Sequence, residues 1–435
     1  MHRFYSYTAP VSSNSCLRPD LRTSIPGPRS RELAQRLAAV ESPNVTCLEP
    51  EAPVFWERAR ASNVWDVDGN RFVDLDAAFG VASVGHGHPR VVEAIARQSE
   101  SLLHGMGDVH PTEIRTALLE RLVSLYPGGG PARGVLSSSG SDAVEAALKT
   151  ALLATGRPGV VAFEGAYHGL SLGALDATFR ADFREPFLPK LSGHTVFARF
   201  GDVEDVARAA SVAPVPVGAV LVEPVQGRGG IRLSPPGFLA QLRELCDAND
   251  WLLIADEVYT GFGRTGRMFA CEHDGVVPDL LCLGKALAGG MPLSACVGTE
   301  KTMKSWPASR GESLHTQTYL GHPAGCAAAH ATLEIIEQEK LVAASARNGA
   351  QVLEGLRRKL ARVDAVREVR GLGLMLGVEC RDFEIAERAW IRCLGRGVIT
   401  LPAGDDGRVL SMTPALGIGG EGFEEALEIV CESLQ

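Results

Sequence analysis

The stretch that most limits what this chain can fold into is residues 251–287, WLLIADEVYTGFGRTGRMFACEHDGVVPDLLCLGKAL. Two short apolar runs lie in it, 251–255 and 280–283, with the length and unbroken apolarity of strands buried on both faces of a parallel sheet. Each run ends in groups that a core rejects: Asp256 and Glu257 after the first, Gly284 and Lys285 after the second, with Gly289-Gly290 close behind. The 29 residues from Asp256 to Lys285 match the span of one strand-to-strand crossover. Open α/β sheets place ligand sites at the carboxyl ends of their strands, so fold class and candidate site follow from the same residues.

A carboxylate and a desolvated lysine at neighbouring strand ends suit pyridoxal 5'-phosphate. The lysine amine forms a Schiff base with the aldehyde, and an aspartate beneath the ring keeps the ring nitrogen protonated so that the ring acts as an electron sink. Taken alone, the pair fits a solvated loop lysine and a capping aspartate equally well. The neighbouring letters separate the two readings. DEVYTGFGRTG followed by LGKALAGGMP resembles the class III, or omega, aminotransferases among the fold-type-I pyridoxal phosphate enzymes, and the likeness extends from about Ser42 to the C-terminus. It implies an α/β fold with a large domain, built on a mostly parallel seven-stranded sheet, beside a smaller α+β domain. It also implies ping-pong transfer of an amino group from an amine or amino acid to a 2-oxo acid. The alternative on the same machinery is an amino-acid racemase or epimerase, and a non-catalytic binding protein is disfavoured by the joint presence of Lys285 and Asp256.

Composition narrows the partners. At 435 residues two lobes are expected, and 45% hydrophobic with 22% charged residues describes a soluble globular chain. A net charge of −9 argues against nucleic acid or an anionic membrane as the main partner. The ten cysteines form no CxxC pair and sit in apolar contexts such as LLCLG, so buried free thiols are expected and a metal site is not. No apolar run is long enough to span a bilayer and the first 20 residues lack an apolar core, which points to the cytoplasm.

Residues 1–30, with Pro10, Pro19, Pro26 and Pro28, have a composition that does not order itself unaided. Residues 30–40 read as a short amphipathic helix, and 63–75 as a hairpin around Asp68-Gly69. Gly85-His86-Gly87-His88-Pro89 follows as a turn, and its HxH pair reads as structural, having no third ligand. A strand at 135–138 runs into Ser139-Gly140-Ser141-Asp142 at the start of an apolar-faced helix, a ready anion site. Further strands are expected at 160–163 and 218–223, helices at 236–250, 325–338, 341–361, 384–395 and 420–433, and C-terminal strands at 366–370, 374–379 and 408–412. The resulting division is an arm at 1–40, parts of the small domain at 41–88 and 323–435, and a large domain at 89–322.

The resemblance assigns roles to particular residues. Gly140 and Ser141 match the family's phosphate loop. Tyr167, in FEGAYHG, matches the aromatic that stacks on the cofactor, with His168 as its neighbour and Val258 on the opposite face. Glu223 orients groups around Asp256. Thr318 matches a threonine that reaches the phosphate bound by the neighbouring subunit, which implies a homodimer with shared sites, and in the family the N-terminal arm packs on that partner. Phe79 lines the substrate side.

Two departures bear on the substrate. Ser411 stands where ornithine- and acetylornithine-directed members carry a carboxylate-gripping arginine, and Arg228 stands where they carry the glutamate that pairs with it. The loss of one grip and the gain of a guanidinium are complementary, which casts Arg228 as a carboxylate reader, with a structural salt bridge as the alternative. Tyr259 replaces a glutamine common near the cofactor's phenolic oxygen and either substitutes for it or turns away.

Overall fold

The computed structural model describes residues 16–46 and 53–435. Its centre is a seven-stranded sheet in the spatial order Ala132–Ser137, Ser294–Thr299, Leu280–Leu283, Leu252–Asp256, Val217–Val222, Gly159–Phe163 and Thr195–Ala198. All neighbours are parallel except Ser294–Thr299, which runs antiparallel to both of its neighbours. The expected strand 280–283 is found with those bounds, and 251–255 is Leu252–Asp256, so Asp256 is the last residue of its strand. Val217–Val222 and Leu280–Leu283 are buried at every position, as strands covered on both faces must be. Helix Gly140–Thr155 covers one face with Ala143, Val144, Ala147 and Ala151.

A second core forms around the antiparallel sheet of Val366–Leu372, Met375–Cys380, Val409–Met412 and Leu401–Ala403. The predicted hairpin is present as Asn63–Asp66 and Arg71–Asp74, and its second strand pairs in parallel with Val398–Ile399, which ties the two ends of the chain together. Val73 and Leu75 belong to the same core as Leu356, Leu410 and Phe423. Helix Pro323–Gln338 instead gives Cys326, Leu333, Ile335 and Ile336 to the core of the large sheet.

Sequence reasoning misplaced the first helix by two residues. It is Pro28–Ala38, because Pro28 occupies a first-turn position where its missing N–H costs nothing and the Asp68 carboxylate accepts from Arg29 N (2.7 Å) and Ser30 N (2.9 Å). The described part of the N-terminal arm lies on its own chain: Leu17 N donates to Asn63 Oδ1 (2.8 Å), and Asp20 pairs with Arg71. The expectation of disorder for residues 1–15 lies outside the described residues. His86 Nε2 meets Asp74 Oδ2 at 2.8 Å and His88 Nδ1 accepts from Arg90 N at the start of helix Pro89–Ser101, so both histidines have structural partners. Among the described residues nine cysteines are free and buried, no helix is long and apolar enough to cross a membrane, and no cluster is placed to hold a metal ion.

One side chain welds the two cores. Arg264, 1% exposed, donates through Nη1 to Leu374 O (3.1 Å) and Pro414 O (2.5 Å), and its own carbonyl accepts from Leu374 N. Burial draws its pKa down to about 10.

Candidate active site

The carboxyl ends of five parallel strands converge. After Ala132–Ser137 comes the start of helix Gly140–Thr155, after Gly159–Phe163 the loop with Tyr167 and His168, after Val217–Val222 Glu223, then Asp256 itself and Lys285. The sheet alone therefore gathers residues spread over some 150 positions of sequence.

Asp256 Oδ2 meets His168 Nδ1 at 2.7 Å, and Oδ1 accepts from Val258 N at 3.1 Å. The opposite ring nitrogen of His168 is buried and has no partner among the described residues. Glu223 accepts from Tyr167 N (3.0 Å) through one oxygen and from Gly227 N (3.1 Å) through the other, so it ties two site loops together and does not touch Asp256 by a hydrogen bond. Burial pushes its carboxyl up to about 7, although the nearby His168 pulls in the opposite direction.

Lys285 follows its strand with φ +38°, a left-handed conformation that a non-glycine residue keeps only when its surroundings impose it. Burial is the largest influence on its amine and lowers the pKa to about 8; Glu223, Asp256 and Asp76 oppose that shift. Its Nζ stands 3.3 Å from the centroid of the Tyr259 ring. The Tyr259 ring thus faces the lysine, while its hydroxyl is directed to Thr413 Oγ1 at 3.1 Å.

At the helix start, Ser139 Oγ accepts from Asp142 N (3.2 Å), which leaves the N–H groups of the first turn, Gly140 and Ser141 included, without intrahelical partners. Ser141 Oγ accepts from Ser171 N (3.0 Å) and keeps its proton to donate. A Cβ at Gly140 would stand 2.7 Å from Val258 Cγ1, and one at Gly284 3.2 Å from the same atom, so Val258 fills the space between the helix start and the lysine strand.

Ala77, Ala78 and Phe79 have φ of +49°, +51° and +62°, a run costing roughly 1–2 kcal/mol per residue. Asp74 Oδ1 accepts from Asp76 N and Ala77 N, and Asp76 Oδ2 from Phe79 N (2.7 Å), which is what holds the turn. It leaves Phe79 52% exposed. Nothing in Ala-Ala-Phe announces such a turn; the spaced aspartates before it were the available signal.

Arg228 is exposed, its guanidinium carbon 5.8 Å from the Tyr167 ring centroid, and it has no ion pair among the described residues. Its loop is fixed from the second core, since Gly404 N donates to Arg228 O (2.9 Å) and Arg370 donates to Gly230 O and Ile231 O. Ser411 Oγ donates to Leu401 O (3.0 Å). Thr318 is exposed, without a hydrogen-bond partner among the described residues.

These residues fit pyridoxal phosphate on the structure's own terms: a helix start with free donors and a glycine that no side chain can replace, an amine made partly neutral by burial, and a hydrogen-bonded buried carboxylate one strand away. The fold is that of the fold-type-I pyridoxal phosphate enzymes, seen in an ornithine aminotransferase from Toxoplasma gondii (TM-score 0.84, 30% identity, 93% of this chain and 94% of that one). A transaminase from the marine bacterium Virgibacillus shares it at TM-score 0.85 and 25% identity over 93% and 98%. Residues 47–434 match the model of class-III aminotransferases, and the chain belongs to that family. It is 38% identical to a 4-aminobutyrate aminotransferase of Mycobacterium leprae over 95% of this chain and 97% of that one, and 38% identical to an acetylornithine aminotransferase of Methanosarcina acetivorans over 80% and 86%. The protein is a pyridoxal-phosphate-dependent aminotransferase acting on an amino donor and a 2-oxo acid. Racemisation, the alternative considered from sequence, gains no support from these relatives.

Proposed function

We propose that Lys285 and Asp256 carry the transamination chemistry and that the amino donor bears a carboxylate read by Arg228. The observation behind the first part is the lysine with its pKa near 8 one strand away from the Asp256–His168 pair. In this reading Gly140 and Ser141 hold the phosphate, Tyr167 and Val258 flank the ring, Asp256 faces its nitrogen with His168 behind it, and Glu223 fixes the loops. Once bound, the cofactor supplies the electron sink and carries the amino group between the two halves of a ping-pong cycle. Lys285, neutral in a useful fraction near pH 8, moves the proton on and off the carbon that bears the amine.

For the donor, the named relatives act on 4-aminobutyrate and acetylornithine, both of which pair an amine with a carboxylate. Arg228 is exposed at the site, held by its backbone and unpaired among the described residues, whereas the Ser411 hydroxyl is engaged with a backbone carbonyl. Phe79 and Ser411 would then shape the pocket wall. A charge-assisted bidentate contact contributes roughly 1.5–3 kcal/mol, so Arg228→Ala lowers kcat/KM on a carboxylated donor about 10- to 100-fold and leaves a matched amine without the carboxylate unchanged. Equal loss on both donors, followed by the carbonyl product formed from the donor with 2-oxoglutarate or pyruvate as acceptor, would remove Arg228 from carboxylate recognition.

We further propose a homodimer with shared sites. Thr318 lies in a surface where segments 103–110 and 314–322 adjoin and leave Leu103, Met106, Val109, Leu314 and Tyr319 each more than half exposed. Mixing Thr318→Ala with Lys285→Ala subunits tests it. If the threonine serves the partner's site, each hybrid concentrates both lesions in one site and regains one intact site; activity regained in proportion to hybrid content supports sharing, and none refutes it. The division into a large domain (89–322, with helix Pro323–Gln338 packed on it) and a small one (41–88 with the remaining C-terminal residues) rests on the two cores. A cytoplasmic location is supported by the free thiols found among the described residues.

A further inference from the structure

We propose that Tyr259 is a positioning residue for Lys285, held flat beneath the lysine amine by a hydrogen-bonded chain through Thr413 to Asp76, so that the strained turn before Phe79 and the lysine are parts of one rigid assembly. The inference rests on the reading of Lys285 as the reactive lysine.

The ring is gripped on two edges. A Cβ at Gly80 would come within 2.7 Å of Tyr259 Cε2, and one at Gly227 within 2.3 Å of Cδ1, so two glycines on opposite edges make room for the ring and leave it little freedom to rotate. Gly80 ends the left-handed Ala77–Phe79 turn, and Gly227 opens the loop that carries Arg228. The phenol is tethered as well. Thr413 Oγ1 lies 3.1 Å from Tyr259 Oη and 3.0 Å from Asp76 O. A threonine hydroxyl has one proton, and the Asp76 carbonyl only accepts; Thr413 therefore donates to Asp76 and accepts from the Tyr259 phenol. Burial raises the pKa of that phenol, which keeps its proton in place. Thr413 N also donates to Leu75 O (2.7 Å), and Asp76 Oδ2 holds Phe79 N, so the tether ends on the residues that enforce the turn.

A cationic nitrogen 3.3 Å from an aromatic face is attracted by the ring quadrupole. The Tyr259 face therefore favours a protonated nitrogen at Lys285 and works against the burial that favours the neutral one. The charged groups that also act on this nitrogen are Glu223, Asp256 and Asp76, which favour the cation, and Arg228, which disfavours it.

The test uses the holoenzyme and reads the protonation midpoint at the Lys285 nitrogen from the pH-dependent near-visible spectrum, alongside kcat. Tyr259→Leu removes the ring and leaves all four charged groups, and its midpoint falls by about half to one and a half pH units. Tyr259→Phe keeps the ring and cuts the tether, as Thr413→Val does from the other side. Each lowers kcat severalfold with a smaller change of midpoint, and the double variant is no worse than the poorer single one. An unchanged midpoint in Tyr259→Leu, or additive losses in the double variant, overturns the proposal. Should the leucine variant fail to fold, the Tyr259→Phe and Thr413→Val pair decides alone. A wild-type protein with no near-visible band at all would refute the role given to Lys285, not the part played by Tyr259.

Discussion

Lys285→Ala abolishes turnover, by at least about ten-thousand-fold, while the protein keeps its fold and loses the near-visible absorbance of the bound cofactor. The size follows from the two duties proposed for this amine, anchoring the cofactor and moving the proton, since general acid–base catalysis alone contributes about 100- to 10,000-fold. The fold survives because Lys285 works against stability. Its pKa falls from 10.5 to about 8 on folding, so the folded apoprotein favours the neutral amine. That preference stabilises the protein above pH 10.5 and is lost as pH falls through 8, an effect on the order of 3 kcal/mol. Thermal melting of the two apoproteins across this window shows the slope in the wild type and not in the variant. A Lys285→Ala enzyme that turned over within tenfold of the wild type would place the chemistry elsewhere.

Asp256→Asn preserves shape and removes charge. The amide oxygen can still accept from Val258 N, which holds the loop at the end of Leu252–Asp256, whereas the NH2 that replaces the other oxygen can only donate toward His168 Nδ1, and no anion remains to balance a positive ring nitrogen. Removing a preorganised electrostatic partner from a water-poor site costs about 100- to 1,000-fold in kcat. KM for the donor changes far less, because Asp256 is buried whereas Arg228 and Phe79 are exposed. Steady-state kinetics on one donor–acceptor pair separates the two constants. A loss expressed only as a raised KM would make Asp256 a packing residue.

Much of this was legible in the letters, and for a physical reason. Strands buried on both faces must be apolar throughout, so Leu280–Leu283 and Val217–Val222 announce themselves, and the charged residues just beyond them mark the mouth of the sheet. Trp56–Arg60 was not visible, because WERAR is an exposed edge strand with no apolar period, and Ser294–Thr299 was missed because SACVGT offers small side chains without a strand-like alternation. The seat of Lys285 was also out of reach. Tyr259 and Thr413 are 154 residues apart, and only the packing of the second core brings them to 3.1 Å. The left-handed run at Ala77–Phe79 lies in side chains other than its own, since Asp74 and Asp76 impose it.

Arg264 sets a timetable for synthesis. Every strand of the large sheet has left the ribosome once Thr299 has, yet the guanidinium in its midst finds its carbonyl partners only with Leu374 and Pro414, the latter 150 residues downstream. Counted from Thr299, at about 5–20 residues per second, that is a wait of roughly 6–23 s during which a cation sits beside a nearly finished core with its final ligands not yet made. Tyr259 waits for Thr413 over the same interval. The nascent chain therefore holds its lysine and aspartate in one sheet well before it has a working site, and the final few dozen residues act as the latch that decides when cofactor can be used.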